Sequence, residues 1–115
     1  MSFSGYKFKF RLNIAHSFVA NGFIGDLHYH TVEINMFIQN LNDDIRYFQE
    51  VEDLVKSYLN QHENIYLNSV PPFDVISPTI ENFGEVIYKD IKYLLATYDF
   101  QVERLEVSEN HTRIY

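Results

Sequence analysis

From Tyr6 to His16 every second residue falls on one face, as Tyr6, Phe8, Phe10, Leu12, Ile14 and His16, with Lys7, Lys9, Arg11 and Asn13 between them. Strand side chains alternate across the sheet, so this run predicts a half-buried β-strand. After a connection carrying Asn21-Gly22 and Gly25-Asp26, the segment from His28 to Ile38 alternates again, with His28, His30, Val32, Ile34, Met36 and Ile38 on one side. The two strands are expected to form a long antiparallel pair. The rhythm changes at Asn42-Asp43-Asp44, after which Phe48, Val51, Leu54, Val55, Tyr58 and Leu59 recur at helical spacing, predicting a helix from about Ile45 to about Asn60. Pro71-Pro72 marks an irregular link. Ser77-Pro78 offers a capping serine and a first-turn proline for a second helix carried by Ile80, Phe83, Ile87, Ile91, Leu94 and Leu95 to about Thr97. A third strand, Phe100 to Glu109, and a short fourth, His111 to Tyr115, complete the chain.

Strands separated by a helical block indicate an α+β layer, a four-stranded antiparallel sheet with two helices on one face. Its two open edges must be covered or paired, so association through the sheet edges is expected. With 115 residues, 46% of them apolar and 17% aromatic, the chain has the material for one domain spanning residues 1–115 and a real core. Phe8, Phe10, Phe48 and Phe83 are read as core rather than as a ligand platform. The formal net charge is −7, with nine basic residues scattered among sixteen acidic ones, which argues against a nucleic-acid partner or an anionic membrane surface. No apolar run approaches a bilayer span and Met1 to Gly5 has no signal-peptide character, so a cytoplasmic protein is expected. The absence of cysteine excludes disulfides, thiolate metal sites and a cysteine nucleophile.

The candidate chemistry lies in the histidines. His28 and His30 point to the same face, and pairing of the two strands brings His16 to them. Three imidazoles with a fourth position left open are the ligand set of a catalytic zinc site. A strand histidine is also commonly a hydrogen-bonded core or surface residue, and a His-x-His spacing alone does not decide between the two. His62 and His111 carry no such signal and are expected to be exposed.

With these elements placed, the chain resembles the family of 6-pyruvoyl-tetrahydropterin and 6-carboxy-tetrahydropterin synthases, members of the tunnelling-fold (T-fold) group, over nearly its whole length. The resemblance rests on Phe8-Lys9-Phe10 through Ile14-Ala15-His16, on Ile24-Gly25-Asp26-Leu27-His28-Tyr29-His30 in place of the family's Cys-Gly-x-Leu-His-Gly-His, and on Leu67-Asn68, Val70-Pro71-Pro72-Phe73-Asp74, Pro78-Thr79-Ile80-Glu81-Asn82 and Val107-Ser108-Glu109 in the family's order. It implies Zn2+ held by His16, His28 and His30, and a pterin-like small molecule gripped by Glu109 through paired hydrogen bonds to its pyrimidine edge. It further implies that Thr79 and Glu81 line the pterin pocket, and that subunits join their sheets into a homo-oligomeric barrel with sites between neighbours. The bland alternatives are a solvated strand position for Glu109, and an ordinary first helical turn for Thr79 and Glu81.

The chain departs from the pattern where proton transfer is concerned. Ile24 occupies the position of the family's cysteine base, and Glu63-Asn64 stands where an Asp-His pair supports it; a shift of two residues would bring His62 towards that role. Tyr29 replaces the glycine between the two histidines. The resemblance therefore implies either a lyase acting on a dihydroneopterin derivative with altered chemistry, its base being Asp26, Glu63 or His62, or a non-catalytic pterin-binding or assembly paralogue. Biopterin, folate and queuosine pathways all remain open.

Overall fold

The alternating faces of the two long strands lock into one register in the computed structural model, which describes residues 5–17, 19–20, 23–40, 48–110 and 113–114. Strand β1 (Tyr6–His16) pairs antiparallel with β4 (His28–Asn40), from Tyr6 opposite Ile38 to His16 opposite His28. The connection between them holds a short antiparallel pair of its own, β2 (Val19–Ala20) with β3 (Phe23–Ile24), which the alternation pattern does not reveal because two-residue strands have no period to read. Strand β5 (Phe100–Asn110) pairs with the other edge of β4, and the two-residue β6 (Arg113–Ile114) pairs with β5. The sheet order is β1-β4-β5-β6, three long strands and a minimal fourth. Of the expected strand from His111 to Tyr115, only Arg113 and Ile114 lie among the described residues.

Two helices cover the face formed by Phe10, Leu12 and Ile14 of β1, Val32, Ile34, Met36 and Ile38 of β4, and Val102 and Val107 of β5. Helix α1 (Phe48–Asn60) contributes Val51, Val55 and Leu59, and α2 (Ile80–Ala96) contributes Phe83, Ile87, Ile91 and Leu95. Each set repeats every fourth residue, which keeps one stripe turned to the sheet. The expected start of α1 at Ile45 lies outside the described residues. For α2 the capping expectation is corrected. Thr79, not Ser77, is the N-cap, its hydroxyl accepting from the Asn82 N–H at 3.1 Å, and Pro78 lies before the cap rather than in the first turn.

The opposite face of the sheet is polar and largely balanced. Arg11 pairs across the strands with Glu33 at 3.1 Å, Arg104 pairs with Glu106, and the Lys7 and Arg104 cations flank the Phe37 ring at 5.3 and 5.1 Å. No helix among the described residues is long and apolar enough to cross a membrane.

Central burial makes β4 the most sensitive element to truncation. Ile34, fully buried between neighbours on β1 and β5, should lose about 2–5 kcal/mol on replacement by alanine. The urea midpoint should fall accordingly with an unchanged slope, and a loss under about 1 kcal/mol would show that the position is not packed as described.

Candidate metal and ligand site

Beyond the last apolar pair of the core face, the β1–β4 register sets Ile14 opposite His30 and His16 opposite His28. The three imidazoles therefore share one face, with ring centroids 5.0 Å (His16–His30), 5.8 Å (His28–His30) and 6.3 Å (His16–His28) apart. His16 is fully buried, whereas His28 is exposed. His16 Nδ1 lies 2.7 Å from the Pro78 carbonyl oxygen, and a carbonyl can only accept, so Nδ1 carries the proton. Burial, reinforced by the His30 and His28 rings, holds the His16 pKa below the ordinary imidazole value against the opposing pull of the Pro78 carbonyl and Glu109. The ring is thus neutral with its lone pair on Nε2, the state a metal ligand requires, and the partner on the other nitrogen fixes that tautomer.

Three imidazoles bound tetrahedrally to one zinc have centroids roughly 5 Å apart. The His16–His30 pair already meets that spacing, and the His28 ring stands farther out. Among the described residues no group of three or more His, Cys, Asp or Glu is closed tightly enough to hold a metal as it stands. The donor chemistry fits zinc: three imidazoles on one face of a sheet, one of them with its tautomer fixed by the Pro78 carbonyl, and one on an exposed side chain.

Glu109 reaches this cluster because of an irregularity. In β5 the pairing slips between Phe37 and Ile38, which face Arg104 and Val102, so Glu103 is an extra residue. Counting by two from Phe100 and Val102 would send Glu109 to the far face. The bulge restores phase, so Leu105, Val107 and Glu109 follow the core side, and a Glu109 carboxylate oxygen lies 3.5 Å from His30 Nδ1. Thr79 caps α2, although its hydroxyl proton remains available to a ligand, and Glu81 is exposed in the first helical turn.

Two asparagines that the sequence reading left within motifs, without a role, support His16. Asn68 clasps Ser17, accepting from its N–H and donating to its carbonyl, both at 2.8 Å. Asn82 donates to the Ser77 carbonyl at 2.8 Å, beside the Pro78 carbonyl that meets His16. The Leu-Asn and Pro-Thr-x-Glu-Asn motifs contained the signal.

Ile24, Leu27, Tyr29, Asn64 and Tyr66 line a cleft of about 430 Å3. The structure therefore brings together the two positions, 24 and 64, that the resemblance assigns to a base and its helper. Ala15 and Tyr29 are opposite one another and alternate with the histidine pairs, so this cleft opens on the other face of the sheet. Glu63 is not in it: its two oxygens accept from the Asn13 backbone and side chain at 2.9 and 3.0 Å. Asp26 is exposed in the link between β3 and β4.

These features define an α+β protein carrying a histidine and carboxylate site at one end of its antiparallel sheet. The family model for 6-pyruvoyl tetrahydropterin synthase matches residues 6–115, and the chain belongs to that family. Among solved structures, 6-pyruvoyl tetrahydropterin synthase of Caenorhabditis elegans superposes with a TM-score of 0.79 at 11% identity, covering 97% of this chain and 92% of that one. The Plasmodium falciparum synthase gives 0.63 at 19% identity, covering 97% and 96%. A Plasmodium vivax synthase in which a catalytic glutamate is replaced by alanine gives 0.62 at 16% identity, with the same coverage of 97% and 96%. At such identities the likeness shows the fold. No curated protein sequence matches the chain.

His62, expected at the surface, is instead 6% exposed, its ring packed between Tyr58 at 5.2 Å and Phe83 at 6.1 Å. The turn after α1 folds it back under the helix pair, so the expectation of an exposed side chain is corrected. His111 lies outside the described residues. Burial lowers the His62 pKa from its ordinary 6.5, opposed by the Tyr58 and Leu59 carbonyls and the Asp90 charge. The unfolded chain then binds a proton that the folded chain resists, so stability is lost as pH falls below the unfolded value and is retained above it. Wild-type protein should lose urea resistance between about pH 7.5 and about pH 5.5, and His62→Leu should lose less. Equal losses in the two proteins would remove His62 as a cause.

Proposed function

We propose that this chain is a zinc-dependent pterin-binding protein of its family whose chemistry departs from the ordinary synthase reaction. The observation that carries the reading is the convergence of His16, His28, His30 and Glu109 at one end of the sheet, combined with isoleucine at position 24. The three histidines would hold the metal, which when bound polarises oxygens on the ligand's side chain. Glu109 accepts two parallel N–H bonds from the pyrimidine edge of a pterin, and Thr79 and Glu81 face the ring from the start of α2.

Isoleucine cannot take a proton. A general base contributes typically about 10²–10⁴-fold, so the ordinary synthase reaction should be slower by that order. Of the substitutes, Glu63 is engaged by Asn13 and His62 is packed in the core, which leaves Asp26, exposed beside the cleft, as the base of a lyase acting on a dihydroneopterin derivative. The catalytic glutamate of the Plasmodium vivax synthase supports a carboxylate in such a role. Subunits joined at their sheet edges would form a homo-oligomer with the sites between neighbours, which covers the open edges of the sheet. A second reading, a non-catalytic pterin binder, is favoured by the cleft itself, where Ile24, Leu27, Tyr29, Asn64 and Tyr66 offer hydroxyl, amide and apolar groups but no carboxylate or imidazole.

Zinc-loaded protein incubated with 7,8-dihydroneopterin triphosphate, its products read by mass spectrometry, separates the two. A new pterin product that disappears in Asp26→Asn is the expected result. Recovery of unchanged substrate, with an active synthase in parallel, would leave the non-catalytic reading. His28→Ala should lose zinc by elemental analysis, and full occupancy in that variant would overturn the ligand set.

A further inference from the structure

We infer that Asn82 is a positioning residue for His16, holding the Ser77–Thr79 turn so that the Pro78 carbonyl fixes the imidazole tautomer that leaves Nε2 to a metal. The inference rests on the zinc reading above and deepens it by naming what sets its most buried ligand.

The Thr79 N–H donates to the Ser77 carbonyl at 2.8 Å, closing a three-residue turn with Pro78 at its apex. The ring of Pro78 locks φ, and its carbonyl meets His16 Nδ1 at 2.7 Å. A turn closed by a single bent bond is weakly held by itself. Asn82 supplies the second tie, its Nδ2 donating to the same Ser77 oxygen at 2.8 Å. Its backbone N–H donates to the Thr79 hydroxyl at 3.1 Å, and the Phe83 N–H donates to the Thr79 carbonyl at 2.8 Å. One residue thus joins the first turn of α2 to the turn that presents the Pro78 carbonyl.

The consequence lies in the imidazole. A neutral histidine places its proton on either nitrogen, and only the Nδ1–H form has a lone pair on Nε2. A carbonyl held at hydrogen-bond distance from Nδ1 selects that form before any metal arrives, and outer partners of this kind set metal affinity. If the turn loosens, His16 divides between the two forms and part of the population cannot bind through Nε2.

Asn82→Asp separates this role from a merely structural one. It preserves the shape and the backbone N–H, and a carboxylate in the first helical turn suits the helix dipole, so the helix start is kept. It removes the Nδ2 donor and faces the Ser77 carbonyl with negative charge. Long-range 1H–15N NMR of metal-free protein should show His16 as the Nδ1–H form in wild type and as a mixture in Asn82→Asp. Zinc affinity, measured by chelator competition, should weaken about tenfold, while the thermal midpoint of the metal-free protein falls only by the few degrees that one lost hydrogen bond accounts for. Asn82→Ser, too short to reach Ser77, gives the same readouts should the aspartate variant fail to fold. His16 remaining in the Nδ1–H form with wild-type zinc affinity in these variants would overturn the inference. Wild-type protein that takes up no zinc would instead overturn the proposed function, and the NMR comparison would still judge Asn82.

Discussion

The register of β1 against β4 is the constraint on which the rest of the molecule depends. Because side chains alternate, that single pairing sets Leu12 against Val32 and Phe10 against Ile34 in the core, and continues without a break to Ile14 against His30 and His16 against His28. A slip of one residue would move the apolar set and the histidines together to solvent. The free energy that buries the core therefore also specifies the site. The histidines need no separate device to find one another, only to stand two and four residues beyond the last buried valine of β4.

Proximity alone does not make a ligand, and the remainder of the site is supplied by the long segment between the helices. It returns to the end of β1 at several points: Asn64 donates to the Asn13 carbonyl at 2.8 Å, Tyr66 bridges Ala15 in parallel, Asn68 clasps Ser17, and Pro78 meets His16. These are polar contacts to a strand edge whose backbone groups would otherwise need water. They occur where the sheet's apolar cover ends. The same segment carries Glu63 and Asn64 to opposite uses, the carboxylate to Asn13 and the amide to the cleft beside Ile24. An ionisable residue at a family position is thus not by itself available for chemistry.

The two faces of the sheet divide the labour expected of the site. The histidines and Glu109 lie on the face that the helices cover, and Ile24 and Tyr29 belong to the cleft on the other. The chain belongs to the 6-pyruvoyl tetrahydropterin synthase family, and strand alternation is what sends the cleft at position 24 and the histidines to different sides of one sheet.

Much of this was legible in the order of residues. Period-two runs marked β1 and β4 and put three histidines on one face, and period-four runs marked the helix stripes, because burial on one side of a regular element imprints its repeat on the sequence. What escaped has no local repeat. The bulge at Glu103, which turns Glu109 towards His30, depends on pairing with β4. The burial of His62 depends on a turn closing under two helices, and the preference for Thr79 over Ser77 as the cap follows the turn that directs the Pro78 carbonyl to His16. The sequence by itself determined the long elements, their buried faces and the three histidines on one face, all properties of short-range periodicity, whereas Glu109 entered only through the resemblance. Only the tertiary structure decided which carboxylate reaches the histidines, which nitrogen of His16 holds its proton and which histidine belongs to the core, since each requires contact between residues far apart in the chain.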